Sequence, residues 1–154
     1  MNKLRIGVLG CANIAKRSVI PAIQKIEDLE LIAVASRTED KAYEYAQLFD
    51  CEAIVGYQNL LNRQDIDVVY MPLPTGLHEE WVLKALQAGK HIHIEKSLAM
   101  DYESAKKMVD LAREQNLLIM ENFMFLYHSQ HQFVKDLIAK GEIGEIRCFR
   151  SSFG

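Results

Sequence analysis

The sequence predicts an α/β fold: a doubly wound parallel sheet over residues 1–121, followed by the start of an α+β domain over 122–154. Three observations carry this. Short apolar runs alternate with helical patterns as far as residue 121. The runs are nearly continuous in apolar character, which marks strands buried on both faces. The first run ends in a glycine that opens directly into a helical pattern.

Leu4 to Gly10 reads as the first buried strand. A helical pattern follows over 13–25, with Ile14, Ala15, Val19, Ala22 and Ile23 on one side. Pro21 lies inside it and predicts a kink or a split. Leu29 to Ala35 is the second strand. Thr38 is placed to cap the next helix, with Glu39 and Asp40 in its first turn, and that helix runs to Phe49. Ala53 to Val55 is a short strand and Tyr57 to Asn62 a short helix. Asp67 to Met71 is a strand stopped by Pro72 and Pro74. Leu77 to Ala88 is a helix with Gly89 as its C-terminal cap. His91 to Glu95 is a strand, Tyr102 to Gln115 a helix and Leu117 to Glu121 a strand. A helix over Tyr127 to Lys140 and a strand over Ile146 to Phe153 complete the chain.

Of 154 residues, 49% are hydrophobic and 25% charged, with a formal net charge of -3. That balance excludes disorder, collagen and coiled coil. It gives no electrostatic case for nucleic acid or an anionic membrane as partner. Cys11, Cys51 and Cys148 are sparse, odd in number and far apart, which fits a reducing cytoplasm. No apolar run approaches the length of a membrane span, and Met1 to Arg5 lacks the features of a signal peptide. The expected compartment is the cytoplasm.

The most informative local signal is the turn Gly10-Cys11-Ala12-Asn13-Ile14-Ala15 between the first strand and its helix. A dinucleotide turn has G-x-G-x-x-G/A here: a tight turn, a close backbone approach to pyrophosphate, and a small residue for helix–strand contact. Gly10 and Ala15 match, and Ala12 replaces the middle glycine. The helix N-terminus adds free N–H groups and partial positive charge. An ordinary tight βα turn is the alternative. About 20 residues further on, where an NAD site places an acid, the sequence has Ser36-Arg37. An acid would repel a 2′-phosphate, whereas a serine and an arginine bind it. The expected cofactor is therefore NADP(H) in preference to NAD(H), with a solvated surface charge as the plain alternative for Arg37.

Glu95-Lys96 puts a carboxylate and an ammonium at a strand's C-terminal end, the edge where open α/β sheets bind ligands. A lysine partly desolvated there acts as proton donor or acceptor; a surface ion pair is the alternative. Together with Ala35-Ser36-Arg37, Met71-Pro72-Leu73-Pro74-Thr75-Gly76-Leu77-His78, Gly89-Lys90-His91 and Glu121-Asn122-Phe123-Met124-Phe125, these motifs resemble the Gfo/Idh/MocA (glucose–fructose oxidoreductase/inositol dehydrogenase) family. The combination is most similar to the NADP-dependent ketoreductases acting at C3 of nucleotide-linked ketosugars. The resemblance implies a Rossmann-type domain and hydride transfer between NADP(H) and a sugar carbonyl or hydroxyl. It implies that Lys96 is catalytic and contacts the sugar oxygen. It implies that Gly10, Cys11, Ala12, Asn13 and Ile14 hold the pyrophosphate, and Ser36 and Arg37 the 2′-phosphate. It further implies that Pro72, Leu73, Pro74 and His78 line the adenosine and nicotinamide ribose, Glu95 meets that ribose, and Asn122 lies near the nicotinamide. Tyr127 and His128 are implied substrate contacts.

Two features depart from the family. Ser97 stands where the family usually has proline after a commonly cis peptide, leaving the geometry of the Lys96–Ser97 bond open. The chain ends at Gly154, less than half the usual family length, with only the first helix and strand of the second domain. A dinucleotide-binding fragment or module without turnover is thus the alternative function, and an incomplete second sheet predicts self-association as a homo-oligomer. His91 and His93 share a strand face, and His128 and His131 a helix face, but neither pair has further ligands at metal spacing. Cys11 lies at a helix N-terminus, where a thiol pKa can fall; being small beside the cofactor is its expected duty. Trp81 and Leu86 are expected to pack their helix, and Met120 to Phe125 to form core or a domain junction.

Overall fold

The computed structural model describes residues 3–152. They form two compact units, Met1–Asn122 and Phe123–Gly154. In the first, six parallel strands lie in the order β3-β2-β1-β4-β5-β6: β1 Leu4–Leu9, β2 Leu29–Ser36, β3 Glu52–Val55, β4 Val68–Met71, β5 His91–Ile94 and β6 Ile119–Glu121. This is the doubly wound order whose switch point falls between β1 and β4.

The alternation of side chains along each strand explains the two layers of helices. Leu9, Ala33, Ala35, Val69 and Met71 face one core, closed by α3 Tyr57–Leu61, α4 His78–Gln87 and α5 Tyr102–Glu114. Ile6, Val8, Val34 and Tyr70 face the other, closed by α1 Ile20–Ile23 and α2 Glu39–Phe49. Both faces being covered is why these strands read as continuous apolar runs. Gly7 leaves room for α3 and the loop after it: a Cβ there would stand 2.8 Å from Ile66 Cδ1 and 3.0 Å from Leu60 Cδ2.

The first helical run spans 13–23 and is split, as Pro21 predicts. Ala15–Val19 forms a π-turn, closed by Ile20 N–H donating to Ala15 O, and α1 follows with Pro21 in its first turn, where no N–H is needed. Thr38 occupies the cap position of α2 but its side chain caps nothing; instead Thr38 N–H donates to Ser36 Oγ at 3.2 Å. A 3₁₀ turn, Thr75–Leu77, leads into α4, and Gly89 ends it at φ +74°. Asp101 caps α5, its carboxylate accepting from Ser104 N–H at 2.8 Å.

Two polar ties hold the amino-terminal edge of the sheet. Lys90 is 4% exposed, and its ammonium donates to the carbonyls of Arg63 and Ile66. Arg5 on β1 grips Asp67, just before β4, through Nε at 2.9 Å and Nη2 at 2.6 Å, while Arg5 N–H donates to the same carboxylate at 2.9 Å.

The second unit holds a 3₁₀ turn at Met124–Tyr127 and α6 at Ser129–Ala139. Tyr127 thus ends a separate turn instead of starting the helix. Residues 146–152 form no strand, contrary to the sequence expectation; a strand needs a ladder partner, and none of the described residues pairs with this segment. Phe153, the end of that expected strand, lies outside the described residues. Met120 to Phe125 is not core: the division between the units falls within it, and Met120, Phe123, Met124 and Phe125 are exposed.

Hydrogen bonding to Arg5 holds the Asp67 carboxyl at about 2, against an ordinary 3.8. A depressed carboxylate stabilises the folded state fully above its unfolded value and ceases to do so as pH falls through the folded one. Urea unfolding of the chain should therefore show stability falling between about pH 4 and pH 2, with a shallower fall in Asp67→Asn.

Candidate functional site

A cleft of ≈ 210 Å³ opens at the carboxyl edge of the sheet, at the switch point. It is lined by Gly10, Cys11 and Ala12 of the turn after β1, by Ser36, Arg37, Thr38 and Lys41 at the end of β2 and the start of α2, by Pro72, Leu73 and Pro74 after β4, and by Tyr57 at the start of α3. Gly10 has φ +122° and donates its N–H to Ala35 O at 3.0 Å, fastening the end of β1 to β2. A Cβ on Gly10 would stand 2.8 Å from Leu73 Cδ2. Glycine is therefore required for the backbone angle, and it lets the Leu73 side chain close over the turn. Asn13 and Ile14 lie outside the lining and begin the helical run, whose first-turn amides have no intrahelical acceptor.

Burial pushes the Cys11 thiol up from 9.0 to about 11, against the pull of nearby Lys41, and Sγ donates to Lys41 O at 3.5 Å. Ser36 is 5% exposed. Arg37 and Lys41 are both exposed and line the same wall. Lys41, in the first turn of α2, escaped the sequence reading. Tyr57 also escaped it. Its ring packs edge-on to Trp81 with centroids 5.1 Å apart; burial pushes its phenol up, and nearby Arg37 acts the other way.

His78 is not a lining residue. It is 0% exposed, with Nε2 2.8 Å from Leu73 O and Nδ1 2.9 Å from Ser97 O and 3.2 Å from Leu98 O. It lies beneath the cleft and joins the loop after β4 to the loop after β5. Glu121 supports the same loop, accepting from Leu98 N–H at 2.7 Å.

Glu95, Lys96 and Asn122 gather beyond the cleft at the ends of β5 and β6. Glu95 Oε1 accepts from Tyr70 Oη and from Asn122 Nδ2, each at 2.7 Å. Lys96 is exposed, not partly desolvated, and its peptide bond to Ser97 is cis. His91 Nδ1 accepts from Leu118 N–H at 3.1 Å, and burial holds His93 below its ordinary pKa. Among the described residues, no group of three or more His, Cys, Asp or Glu is placed to hold a metal. Tyr127 and His128 belong to the second unit, where Tyr127 is exposed and His128 Nδ1 accepts from Gln130 N–H at 3.1 Å.

Residues 4–123 match the Gfo/Idh/MocA family, described as "Oxidoreductase family, NAD-binding Rossmann fold". The chain belongs to this family. Among its Gfo/Idh/MocA relatives is a dTDP-3,4-didehydro-2,6-dideoxy-alpha-D-glucose 3-reductase of Saccharopolyspora spinosa, 51% identical over 151 residues, or 98% of this chain and 46% of that protein. The enzyme of the same name from Actinomadura kijaniata is 49% identical over 152 residues, covering 99% and 46%. The crystal structure of KijD10, a 3-ketoreductase from Actinomadura kijaniata in complex with NADP and TDP-benzene, superimposes with a TM-score of 0.90 at 49% identity, covering 95% of this chain and 45% of that one. The chain spans a little under half the length of these relatives. No helix among the described residues is long and apolar enough to cross a membrane.

The thiols give a direct check on the partial burial of Cys11 and Cys51. With iodoacetamide at pH 8, mass spectrometry should find exposed Cys148 modified first, and Cys11 and Cys51, both held near 11 by burial, modified slowly until the chain is unfolded in urea.

Proposed function

We propose that this chain binds NADP(H) at the carboxyl edge of its sheet and forms the cofactor-binding part of an enzyme. That enzyme moves a hydride between the nicotinamide and a carbonyl or hydroxyl carbon of a nucleotide-linked sugar. The observation that carries this reading is one cleft joining a glycine turn to a buried hydroxyl and two exposed cations, Ser36, Arg37 and Lys41. In this reading the amides of Ala12, Asn13 and Ile14 hold the diphosphate. Ser36, Arg37 and Lys41 hold the 2′-phosphate by charge-assisted hydrogen bonds. The end of β2 carries no acid to receive a free 2′-hydroxyl, which favours NADP(H) over NAD(H). Cys11, Pro72, Leu73 and Pro74 supply packing, His78 holds the loops beneath, and Glu95 meets the ribose next to the nicotinamide.

The cofactor, when bound, supplies the hydride chemistry. The chain's share is orientation and proton placement. Lys96 Nζ hydrogen-bonds the reacting sugar oxygen and gives it a proton in reduction, or takes one in oxidation. Tyr127 and His128 are the sugar-side contacts of this reading. The relatives' ketosugar specificity and the NADP bound to KijD10 support it. The three free cysteines support a reducing cytoplasm. Exposed Phe125, Phe133 and Phe149 support self-association through the second unit, which sedimentation as a clean monomer would remove.

Calorimetric titration tests the cofactor claim. NADPH should bind more tightly than NADH, and Arg37→Ala and Lys41→Ala should each weaken NADPH by about tenfold while leaving NADH unchanged. Equal affinity for the two cofactors in the unmutated chain sinks the claim. Turnover is a separate test. Where NADPH oxidation with a dTDP-linked ketosugar is measured, Lys96→Ala should slow it by about 10²–10⁴-fold without weakening NADPH. Binding without any oxidation would favour the module without turnover.

A further inference from the structure

Tyr70 lies in the middle of the sheet and is 0% exposed. It packs with the core under α1 and α2. A phenylalanine would fill that space equally well, so the phenolic oxygen needs its own account. Tyr70 Oη donates to Glu95 Oε1 at 2.7 Å, and Asn122 Nδ2 donates to the same oxygen at 2.7 Å. Tyr70 lies in β4, and Glu95 and Asn122 directly follow its successive neighbours β5 and β6. Their backbones are tied as well: Glu95 N–H donates to Met71 O at 3.2 Å, and Asn122 N–H to Ile94 O at 2.8 Å.

A carboxylate held by two donors on one oxygen cannot turn without losing both, and those bonds are strong because one partner is charged. The other oxygen, Oε2, accepts from no donor among the described residues. His93 is the nearby titratable group. Its ring packs 5.1 Å from that of Tyr70, and its buried Nε2 has no hydrogen-bond partner among the described residues. Burial lowers its pKa, against the opposite pull of the Glu95 carboxylate and the Asn122 side chain.

We propose that Tyr70 and Asn122 are positioning residues that clamp Oε1 of Glu95 and so present Oε2 as a fixed acceptor for a vicinal diol. That diol is the pair of hydroxyls on the ribose next to the nicotinamide. The proposal rests on the cofactor reading above, in which Glu95 meets that ribose, and adds the two residues that hold its carboxylate. Tyr70 acts through Glu95 and touches no ligand itself.

The test compares two ligands on the same chain: NADPH, and 2′,5′-ADP, which keeps the 2′-phosphate but lacks the nicotinamide riboside. Tyr70→Phe should weaken NADPH by about tenfold and leave 2′,5′-ADP unchanged. In the Glu95→Ala background, Tyr70→Phe should cost nothing further for NADPH, because the clamp has nothing left to hold. Asn122→Ala removes the other donor at a half-buried position and should show the same split between ligands, which covers the case of a Tyr70→Phe chain that does not fold. Equal weakening of both ligands would overturn the proposal and reduce Tyr70 to support of the fold, as would no weakening of either. If the unmutated chain binds neither ligand, the cofactor reading itself fails and takes this proposal with it.

Discussion

The approach of the Pro72–Pro74 loop to the turn at Gly10 determines the shape of the whole site. β1 and β4 are parallel neighbours, so their carboxyl ends emerge side by side, and their following segments leave toward opposite faces of the sheet. A crevice therefore opens between them as a consequence of topology. How narrow it becomes depends on Leu73, whose Cδ2 lies where a Cβ of residue 10 would be. With any other residue at position 10, the Leu73 side chain must turn aside and the backbone must hold a positive φ that other residues rarely adopt. The first change alters the wall of the cleft, and relief of the second would disturb the Gly10 N–H bond to Ala35 O that ties β1 to the end of β2.

The same edge is stitched together beneath its ligand-facing surface. His78 bridges the loops after β4 and β5, Glu121 fixes Leu98 N–H, and the Tyr70–Glu95–Asn122 network crosses three strands. His78 and Glu121 satisfy backbone groups of loops past the strand ends, and the third network ties side chains of three neighbouring chain segments to one another. An unmade bond of this kind costs about 1–3 kcal/mol, more than most exposed ion pairs contribute. Order at this edge therefore comes from buried polar contacts, and exposed Lys96 projects from a backbone whose neighbours on both sides are fixed.

The strands were readable because a strand buried on both faces has an unmistakable composition, as Leu4 to Leu9 and Leu29 to Ser36 illustrate. The cleft was readable in outline because Gly10 and Ser36-Arg37 flank the switch point in a fixed spacing. Other features depend on where side chains end up. His78 in a loop-to-helix motif reads as a ligand contact until burial and three nearby carbonyls are seen. Cys11 reads as a small residue beside the cofactor at a helix start, and only the structure shows that burial pushes its thiol up. Thr38 stands at a cap position, yet the bond made there runs from its own N–H to Ser36. A strand over 146–153 could not be decided from pattern alone, because a strand exists only with its neighbour.

The same balance of magnitudes explains why the arginine and lysine of the cleft wall are left out of ion pairs. Ion pairs among the described residues engage Arg5, Lys16, Arg63, Lys84, Lys106, Lys107 and Arg147, and Arg37 and Lys41 are in none of them. Glu39 and Asp40 stand in the adjacent first turn of α2, where they complement the helix dipole, and neither lines the cleft. An exposed pair with either acid would return only about 0–1 kcal/mol to the fold, so stability sacrifices little by leaving the two cations unpaired. A phosphate between them and buried Ser36 would gain several charge-assisted bonds at about 1.5–3 kcal/mol each, before the cost of ordering two flexible side chains. The difference between those magnitudes is why unpaired cations on one wall of a cleft speak for a multiply charged anion, whereas the chain's other solvated lysines, scattered singly over its surface, do not.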